Sequence, residues 1–422
     1  MLGVIVTPRV AAFPCAAHGR WRRNGVVIAA ALFMGAVVPQ AGFAIRLLGS
    51  AVTASRSPGA VLRTSPPRVA LGHQPESFKL LRGHLEIGMR AMADWPHGNS
   101  RRAAVAAHAL PSWQQSMLRI KDPDQSLSFY QDQMGMRCLD KLDFPSMGFS
   151  LYFLASVPAD EETPEPGTQE AHRYLWSFPG TTLELTHNYG TEKEEGPVYH
   201  AGNQPQDGKR RDGFGHIAFS VGNVYKFSEK LEAAGIGFQK RPDEGRMKGL
   251  AFALDPDGYW VELLGRGAEV ATPCLAQTML RVKDPKKSID FYTKFFGMKV
   301  LSDGDYGDFS LFYLGSSNYK EGCPVLELTH NHGTESDTDF AHFTGNEDGR
   351  KGFGHIGFLV DDVYATCAAL QDAGYELQKA PDAGSMKGLA FARDPDGYWV
   401  EVIKRGGYDA QATPYFFGDN KP

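Results

Sequence analysis

Residues 255–262 read Asp255-Pro-Asp-Gly-Tyr-Trp-Val-Glu262, and the same eight residues return as Asp394-Pro-Asp-Gly-Tyr-Trp-Val-Glu401. The Asp-Pro-Asp-Gly quartet is typical of a turn, and the aromatic and β-branched residues after it favour a strand. Alternate side chains of a strand share a face, so Glu262 would lie beside Trp260 on an inward face. A carboxylate is costly to bury without a positive partner, so this stretch predicts a β structure that holds charged groups inside it.

The repetition extends through the chain from residue 111 onward. Three further motifs occur twice in the same order: Gln115-Ser-Met-Leu-Arg119 and Gln277-Thr-Met-Leu-Arg281, Leu183-Glu-Leu-Thr-His-Asn188 and Leu326-Glu-Leu-Thr-His-Asn331, Gly213-Phe-Gly-His-Ile217 and Gly352-Phe-Gly-His-Ile356. Such self-similarity indicates one structural unit present twice. The first copy is longer between its first two motifs, mostly through the Pro- and Glu-rich residues 158–178, where we expect an exposed connection.

Each copy divides again into two halves that begin with a strand, continue with an amphipathic helix and end with more strands. In the first halves, Asp122-Pro123 and Asp284-Pro285 predict a helix N-cap followed by Pro at the first helical position. Gly135 and Gly297 would end these helices. The pattern predicts the α+β class, with curved, mostly antiparallel sheets and helices outside them.

Length, composition and charge limit the possible fold classes and partners. The chain has 422 residues, of which 42% are hydrophobic and 22% charged, which fits several globular domains and excludes wholesale disorder and a polytopic membrane protein. We place the repeated domains at residues 111–267 and 272–410, after a targeting or disordered extension of residues 1–110. That extension holds 13 Lys or Arg against three acidic residues within a net charge of −5, so the repeated part is acidic and nucleic acid is not an expected partner. The five cysteines lack a Cys-x-x-Cys spacing, which indicates reduced thiols and no structural zinc knuckle.

The extension predicts targeting. The Arg-rich residues 20–23 precede an apolar run, residues 26–38, that suits a signal peptide and is too short to span a membrane. An Arg- and Ser-rich stretch follows, and this order resembles the two-part presequences of algae with secondary plastids. We expect cleavage near Phe43, a transit peptide and a plastid protein whose mature form does not associate with membranes. Translation that truly starts at Met89 or Met92, giving a cytoplasmic protein, is the alternative.

Four side chains in each copy are candidate metal ligands. They are Gln115, Glu184, His216 and Glu262 in the first copy and Gln277, Glu327, His355 and Glu401 in the second. Two carboxylates neutralise a divalent cation, and the amide and imidazole complete a set of oxygen and nitrogen donors that leaves positions open for water or substrate. Any one of these residues alone is more often a satisfied core histidine or a salt-bridged glutamate, but the whole set occurs twice, which favours metal binding.

On these motifs, residues 111–405 resemble the glyoxalase I family of the vicinal oxygen chelate superfamily, in its fused two-copy form. The resemblance implies that each copy consists of two βαβββ modules and that the copies pair within a monomer as an intramolecular pseudo-dimer. It also implies crossed ligand sets: Gln115, Glu184, His355 and Glu401 for one site, and Gln277, Glu327, His216 and Glu262 for the other. Zinc is the implied metal, and nickel or cobalt also suits these donors.

The activity implied by the resemblance is isomerisation of the hemithioacetal of methylglyoxal and glutathione to S-lactoylglutathione through a metal-bound enediolate. Glu401 and Glu262 would act as bases, with Glu184 and Glu327 as the facing carboxylates. The implied substrate contacts are Arg119, Asn188, Lys379, Met386 and Lys351 at the site of His355, and Arg281, Asn331, Lys240 and Met247 at the site of His216.

One position departs from the family pattern. Asp212 stands where the other copy has Lys351, and an acidic group there would repel glutathione unless Arg210 or Arg211 neutralises it. We therefore expect weaker glutathione binding at the site of His216 and unequal affinities at the two sites.

Two alternatives stay open. An iron-dependent extradiol dioxygenase on the same fold would need two His and one carboxylate, whereas each set here has one His and two Glu. A non-catalytic, ligand-sequestering protein of the same superfamily would commonly lack metal ligands, whereas both sets are complete. The sequence does not choose among the divalent metals, nor between glutathione and a related thiol.

Overall fold

The computed structural model describes residues 110–204, 210–265 and 272–406. The predicted targeting features lie outside these residues. The strands of the first copy are β1 Ser112–Ile120, β2 Arg137–Phe144, β3 Phe149–Ala155, β4 Thr182–Asn188, β5 Arg210–Asp212, β6 Phe214–Val221, β7 Phe238–Lys240, β8 Leu250–Leu254 and β9 Trp260–Gly265. Those of the second copy are β10 Cys274–Arg281, β11 Lys299–Asp305, β12 Phe309–Gly315, β13 Val325–Asn331, β14 Ala341–Phe343, β15 Phe353–Val360, β16 Leu377–Lys379, β17 Ala390–Arg393 and β18 Trp399–Lys404.

The α-helices are α1 Pro123–Leu127, α2 Gln169–Ser177, α3 Val224–Ala233, α4 Pro285–Phe296 and α5 Val363–Asp372, and a π-helical segment, Ser128–Gln133, continues α1. Among the described residues, no helix is long and apolar enough to cross a membrane. Four of the five cysteines are described, and none of these four forms a disulfide with another described residue.

The predicted helix caps form. The side chain of Asp284 accepts hydrogen bonds from the backbone amides of the first turn of α4, and Pro285 occupies the first helical position. Gly297 ends α4 in the left-handed region, at φ 63°. Asp122 caps α1 in the same way, so the starts of both helices were correctly predicted.

The two large sheets each combine the first half of one copy with the second half of the other. The strand orders are β16-β17-β18-β15-β1-β4-β3-β2 and β11-β12-β13-β10-β6-β9-β8-β7. In the first sheet, β1 pairs antiparallel with β15 and parallel with β4; in the second, β10 does the same with β6 and β13. The α+β class and the βαβββ order of the halves are confirmed, and the first half of the first copy has α2 in addition, between β3 and β4. The domain limits 111–267 and 272–410 stay a prediction, because neither sheet belongs to one copy.

The turn of the repeated octapeptide joins the two halves of each copy. Asp255 is buried and accepts hydrogen bonds from the backbone amides of Asp257 and Tyr259 and from the hydroxyl of Tyr130, at 2.8–3.0 Å. The hydroxyl of Tyr259 in turn donates to the backbone oxygen of Arg119 at 3.0 Å. The second copy repeats these contacts around Asp394. The octapeptide therefore fixes each first half, which lies in one sheet, to its second half in the other.

The insertion in the first copy is not the exposed connection that the sequence predicted. Residues 169–177 form α2, in which Ala171, His172, Leu175 and Trp176 are buried. Its apolar side chains join a core cluster with strands of the first sheet. The prediction was wrong because the Pro- and Glu-rich residues before α2 masked the short amphipathic helix that follows them.

The two copies approach each other closely at glycines of the repeated Gly-Phe-Gly-His motif. A Cβ atom on Gly352 would lie 2.1 Å from the backbone oxygen of His200, in the other copy. We expect Gly352→Ala to lower the free energy of unfolding by about 1–3 kcal/mol, because the backbone of residue 200 must move away. Urea unfolding followed by circular dichroism measures this change.

Gly237→Ala is the matched control, since its Cβ would meet only Leu254, at 3.8 Å. An unchanged unfolding free energy for Gly352→Ala would contradict the close approach of the copies.

Candidate metal centre and active site

The predicted ligands come together in two clusters, each with two residues from either copy. Site 1 consists of Gln115 on β1, Glu184 on β4, His355 on β15 and Glu401 on β18, all on the first sheet. Site 2 consists of Gln277 on β10, Glu327 on β13, His216 on β6 and Glu262 on β9, on the second sheet. All eight residues are at most 7% exposed.

Strand register places the four side chains of site 1. Gln115 lies opposite Gly357 on β15, and Gly357 lies beside Glu401 on β18. One row away, Met117 lies between Glu184 and His355. Gly357 leaves room for the ligands, because a Cβ atom there would approach the Gln115 side chain to 2.8 Å.

The polar ends of site 1 converge on one point. Nε2 of His355 lies 3.0 Å from Oε2 of Glu401 and 3.3 Å from Oε2 of Glu184. Nε2 of Gln115 lies 2.8 Å from Oε2 of Glu401 and 3.0 Å from Nε2 of His355, and it also contacts Glu184. The hydroxyl of Thr186 donates to the outer oxygen of Glu184 at 3.2 Å, which holds the other oxygen toward the cluster.

Site 2 repeats this arrangement with slightly longer separations. Nε2 of His216 lies 3.1 Å from Oε2 of Glu262 and 3.7 Å from Oε2 of Glu327. Nε2 of Gln277 lies 2.5 Å from Glu327, 2.9 Å from Glu262 and 3.3 Å from His216. Ala218 stands opposite Gln277, at the place that Gly357 has in site 1.

The electrostatics of both clusters reflect two carboxylates in a buried space. Burial alone lowers the pKa of His355, but the negative charges of Glu401 and Glu184 outweigh it and raise the pKa to about 9. Burial also lowers the pKa of His216, but the negative charges of Glu262 and Glu327 outweigh this effect and raise the pKa to about 9. Burial raises the pKa of Glu401, against the pull of His355. The clusters therefore attract positive charge.

The donor set fits a divalent metal ion. The ligand atoms of Glu184, His355 and Glu401 all lie within 4.8 Å of one another, and those of the site 2 residues do the same. Oε1 of Gln115 is buried and finds no hydrogen-bond partner among the described residues. An amide oxygen, an imidazole nitrogen and two carboxylates are donors that borderline divalent cations accept.

Site 1 opens into a small cavity beside the ligands. Besides three of the ligands, its walls are apolar: Leu142, Phe144, Leu151, Phe153, Trp176, Met386 and Leu389. Met386, an implied substrate contact, thus lies beside the ligands, whereas its site 2 counterpart Met247 is 43% exposed. The cavity gives site 1 a space for a small organic group next to the cluster.

The two implied arginines bind the opposite loops. The guanidinium of Arg119 donates to backbone oxygens of Gly345 and Phe353 at 3.2–3.3 Å and to Oδ1 of Asn346 at 2.8 Å. Arg281 contacts the equivalent Asn203 at 2.7 Å. Burial lowers the pKa of both arginines. The guanidinium groups are held in place before any ligand binds.

The two implied lysines hold the loops that carry the methionines. Nζ of Lys379 donates to the backbone oxygens of Met386 and Leu389 at 2.6 and 2.8 Å. Nζ of Lys240 makes the same contacts with Met247 and Leu250. Burial lowers the pKa of both lysines. They stabilise these loops, and a direct contact with substrate stays a prediction.

The remaining implied contacts lie at strand ends or in exposed loops. Asn188 ends β4 and donates to the hydroxyl of Tyr199 at 2.8 Å. Asn331 ends β13 at the equivalent place. Lys351 is exposed and lies 3.3 Å from Asp348.

Asp212 is paired with an arginine of the other copy. Its carboxylate lies 2.8 Å from Nε2 of His200 and 3.2 Å from Arg350 of the other copy. Arg210 instead pairs with Glu347 at 3.0 Å. Arg210 therefore does not neutralise Asp212, and Arg350 occupies that position instead. Unequal glutathione affinity stays a prediction.

Some residues of the sites were not predicted from the sequence. Asn203 and Asn346, which hold the arginines, belong to a Gly-Asn pair that occurs in both copies and could have indicated them. Thr186 had the same signal, since it recurs as Thr329, whose hydroxyl donates to Glu327 at 3.3 Å. Trp176 has no repeated counterpart, so only its place in an amphipathic helix could have indicated it.

This fold, in which each of two buried clusters is built from both copies, is typical of one protein superfamily. Residues 108–263 and 275–402 match the family model described as Glyoxalase/Bleomycin resistance protein/Dioxygenase superfamily.

Similar proteins give a narrower identification. The lactoylglutathione lyase of Schizosaccharomyces pombe is 42% identical over 303 residues, covering 69% of this chain and 95% of that protein. Glyoxalase I of Saccharomyces cerevisiae is 42% identical over 310 residues, covering 68% and 91%. The crystal structure of glyoxalase I from Zea mays is 29% identical, with a TM-score of 0.53, and the match covers 70% and 92%. The chain belongs to the lactoylglutathione lyase, or glyoxalase I, family of this superfamily.

We expect the purified chain to bind two divalent ions, one at each site. His355→Ala and His216→Ala should each leave one ion, because each removes one donor from a single cluster, and the double variant should bind none tightly. Mass-spectrometric metal analysis, and calorimetric titration of the stripped protein with zinc, measure the stoichiometry.

His187→Ala is the matched control. This buried histidine follows Glu184 on the same strand but contacts Glu192, at 3.0 Å, outside the cluster. Two ions retained by His355→Ala, or one lost by His187→Ala, would exclude the assigned ligands.

Proposed function

We propose that the protein is a lactoylglutathione lyase that converts the hemithioacetal of methylglyoxal and glutathione into S-lactoylglutathione, and so detoxifies methylglyoxal. The observation that carries the proposal is the buried cluster of Gln, His and two Glu, present twice and assembled from both copies. The names of the relatives at 42% identity support it. One histidine per cluster argues against an extradiol dioxygenase, which needs two, and the complete donor sets argue against a purely sequestering protein.

We further propose one divalent cation at each site, held by the four residues of that site. Zinc is the proposed ion, and nickel or cobalt suits the same donors. When bound, such a cation supplies Lewis acidity that stabilises negative charge on the substrate oxygens.

The protein residues supply the proton transfer. The isomerisation moves hydrogen from the carbon that bears sulfur to the adjacent carbon, so one group must take a proton and return it. We assign this role to Glu401 at site 1 and Glu262 at site 2. Burial raises the pKa of Glu401, which makes its carboxylate a stronger base than an exposed one. Glu184 and Glu327, on the other side of each cluster, are the facing carboxylates.

The charged groups around each site suit the glutathione part of the substrate. Glutathione carries two carboxylates, which cations and amide groups bind. The proposed contacts are Arg119, Asn188, Lys379, Met386 and Lys351 at site 1, and Arg281, Asn331, Lys240 and Met247 at site 2. The hydrogen bonds that already orient both arginines support this assignment.

Replacing both proposed bases, as Glu401→Gln with Glu262→Gln, should lower kcat by about a thousandfold or more, because general base catalysis contributes on the order of 10²–10⁴. Each single variant should keep the activity of the other site. The ultraviolet absorbance of the thioester product gives the rate. Metal analysis of the same samples distinguishes loss of the base from loss of the ion.

Glu335→Gln, a partly exposed glutamate after β13 that contacts His330, should leave kcat unchanged. Near-normal turnover by the double variant would disprove the assigned role of the two glutamates.

Sequence and topology support our proposals for the oligomeric state and the localisation of the protein. Both sites are completed within one chain, which supports a monomer with an intramolecular pseudo-dimer. The Arg-rich residues 20–23 and the apolar residues 26–38 support a signal peptide followed by a plastid transit peptide. Cleavage near Phe43 is the first processing step that we propose.

We expect the mature protein from its native cells to begin after Phe43, because signal peptidase and then a plastid protease would remove the extension. N-terminal sequencing of the purified protein, together with fractionation of the cells, checks this. Recombinant protein that starts at Met89 provides the size control. A mature N-terminus upstream of residue 43 would rule out the targeting proposal.

A further inference from the structure

We propose that the two sites of this chain are specialised for different 2-oxoaldehydes. Site 1 takes adducts whose aldehyde side chain is apolar, such as methyl, and site 2 takes adducts whose side chain carries hydroxyl groups. This inference rests on the proposed function and adds a division of substrates between the sites. It comes from the different walls that the two first halves place beside nearly identical clusters.

The wall of site 1 is apolar and covered. Phe153 on β3 lies directly opposite Glu184 on β4, and Leu151 lies opposite Leu142 in the next row. Trp176 of α2 packs against Phe153, with ring centroids 5.4 Å apart, and is 4% exposed. A substrate group that points from the cluster toward β3 therefore contacts mainly apolar side chains and little water.

A buried polar contact holds α2 over this wall. Asp140 on β2 is fully buried, accepts a hydrogen bond from the backbone amide of Gly167 at 2.9 Å and contacts Nδ1 of His172 in α2. In the second copy, Ser302 stands opposite Tyr313 where Asp140 stands opposite Phe153. The second copy lacks both the anchor and the helix, since residues 316–324, all of them described, form only turns.

The wall of site 2 is more open and carries phenol groups. Tyr313 lies opposite Glu327, at the place of Phe153, and Gly304 lies opposite Leu311, at the place of Leu142. Tyr306 replaces Phe144 and stacks on Phe309 at 5.1 Å. Without a covering helix, the edge strand β11 leaves Leu301 40% exposed.

The two walls should differ in how well they accept a hydroxyl group on the aldehyde side chain of the substrate. At site 1 a hydroxyl on the aldehyde side chain would lose water and meet mainly apolar side chains, which disfavours binding and the transition state alike. At site 2 it would stay near solvent and within reach of phenol oxygens. An apolar pocket rejects an added hydroxyl by about a hundredfold at most, so we expect a difference of about tenfold to a hundredfold between the sites.

The test uses two substrates that differ by one hydroxyl group. The substrates are the glutathione adducts of methylglyoxal and of hydroxypyruvaldehyde, which is methylglyoxal with a hydroxyl on its methyl group. Full-length, metal-loaded enzymes with a single active site are assayed with each adduct. Glu262→Gln leaves site 1 active, and Glu401→Gln leaves site 2 active. The ratio of kcat/KM for the methyl adduct to that for the hydroxymethyl adduct should be at least about tenfold higher at site 1.

Wall exchanges identify the cause. Phe153→Tyr in the Glu262→Gln enzyme should lower that ratio, and Tyr313→Phe in the Glu401→Gln enzyme should raise it. Calorimetric Kd values for the two thioester products, which also differ by one hydroxyl, give a second readout that needs no turnover, and melting curves confirm folding.

Equal substrate ratios and equal product preferences at both sites would overturn the specialisation while leaving the proposed function intact. If the wild-type, metal-loaded chain turned over neither adduct, both the specialisation and the proposed function would be overturned.

Discussion

The antiparallel pairing of β1 with β15, and of β10 with β6, is the interaction on which both sites depend. Each ladder joins a strand of one copy to a strand of the other, so each sheet is completed only when the copies associate. Gln115 and His355 lie on the two strands of the first ladder. A slip of one residue would turn the side chains of one strand to the opposite face. The positions of the ligands are thus set by backbone hydrogen bonds and not by flexible loops.

The same arrangement creates the electrostatics of the clusters. Two carboxylates in each buried cluster require positive charge nearby, and their negative charge raises the pKa of the histidine to about 9. A divalent cation would supply that positive charge, and the histidine, as a neutral imidazole, would donate a ring nitrogen to it. Burial that makes the carboxylates hard to accommodate also raises the pKa of Glu401, which suits a base. Burial of the cluster therefore favours both the binding of a cation and the basicity of Glu401.

Repetition explains how much of this could be predicted. Every ligand lies in a motif that occurs twice, and strand periodicity and caps such as Asp284 identify the halves. The crossed combination of ligands came from the family resemblance, since a repeat alone does not say which halves pair. Features that occur once were missed or mistaken: α2 lies in an unrepeated insertion, and the partner of Asp212 is Arg350, a residue 138 positions away. Contacts between copies leave no local trace in a sequence.

Fusion of the copies allows each site to change without the other. A first half contributes walls and two ligands to one sheet only, and its second half contributes to the other sheet. An insertion such as α2, together with its anchor Asp140, therefore alters site 1 and leaves site 2 as it was. In a symmetric homodimer of identical chains the same insertion would appear at both sites. The chain thus combines clusters that are nearly identical, because the ladder fixes them, with walls that differ, because the edge strands β2 and β11 lie farthest from the ladder.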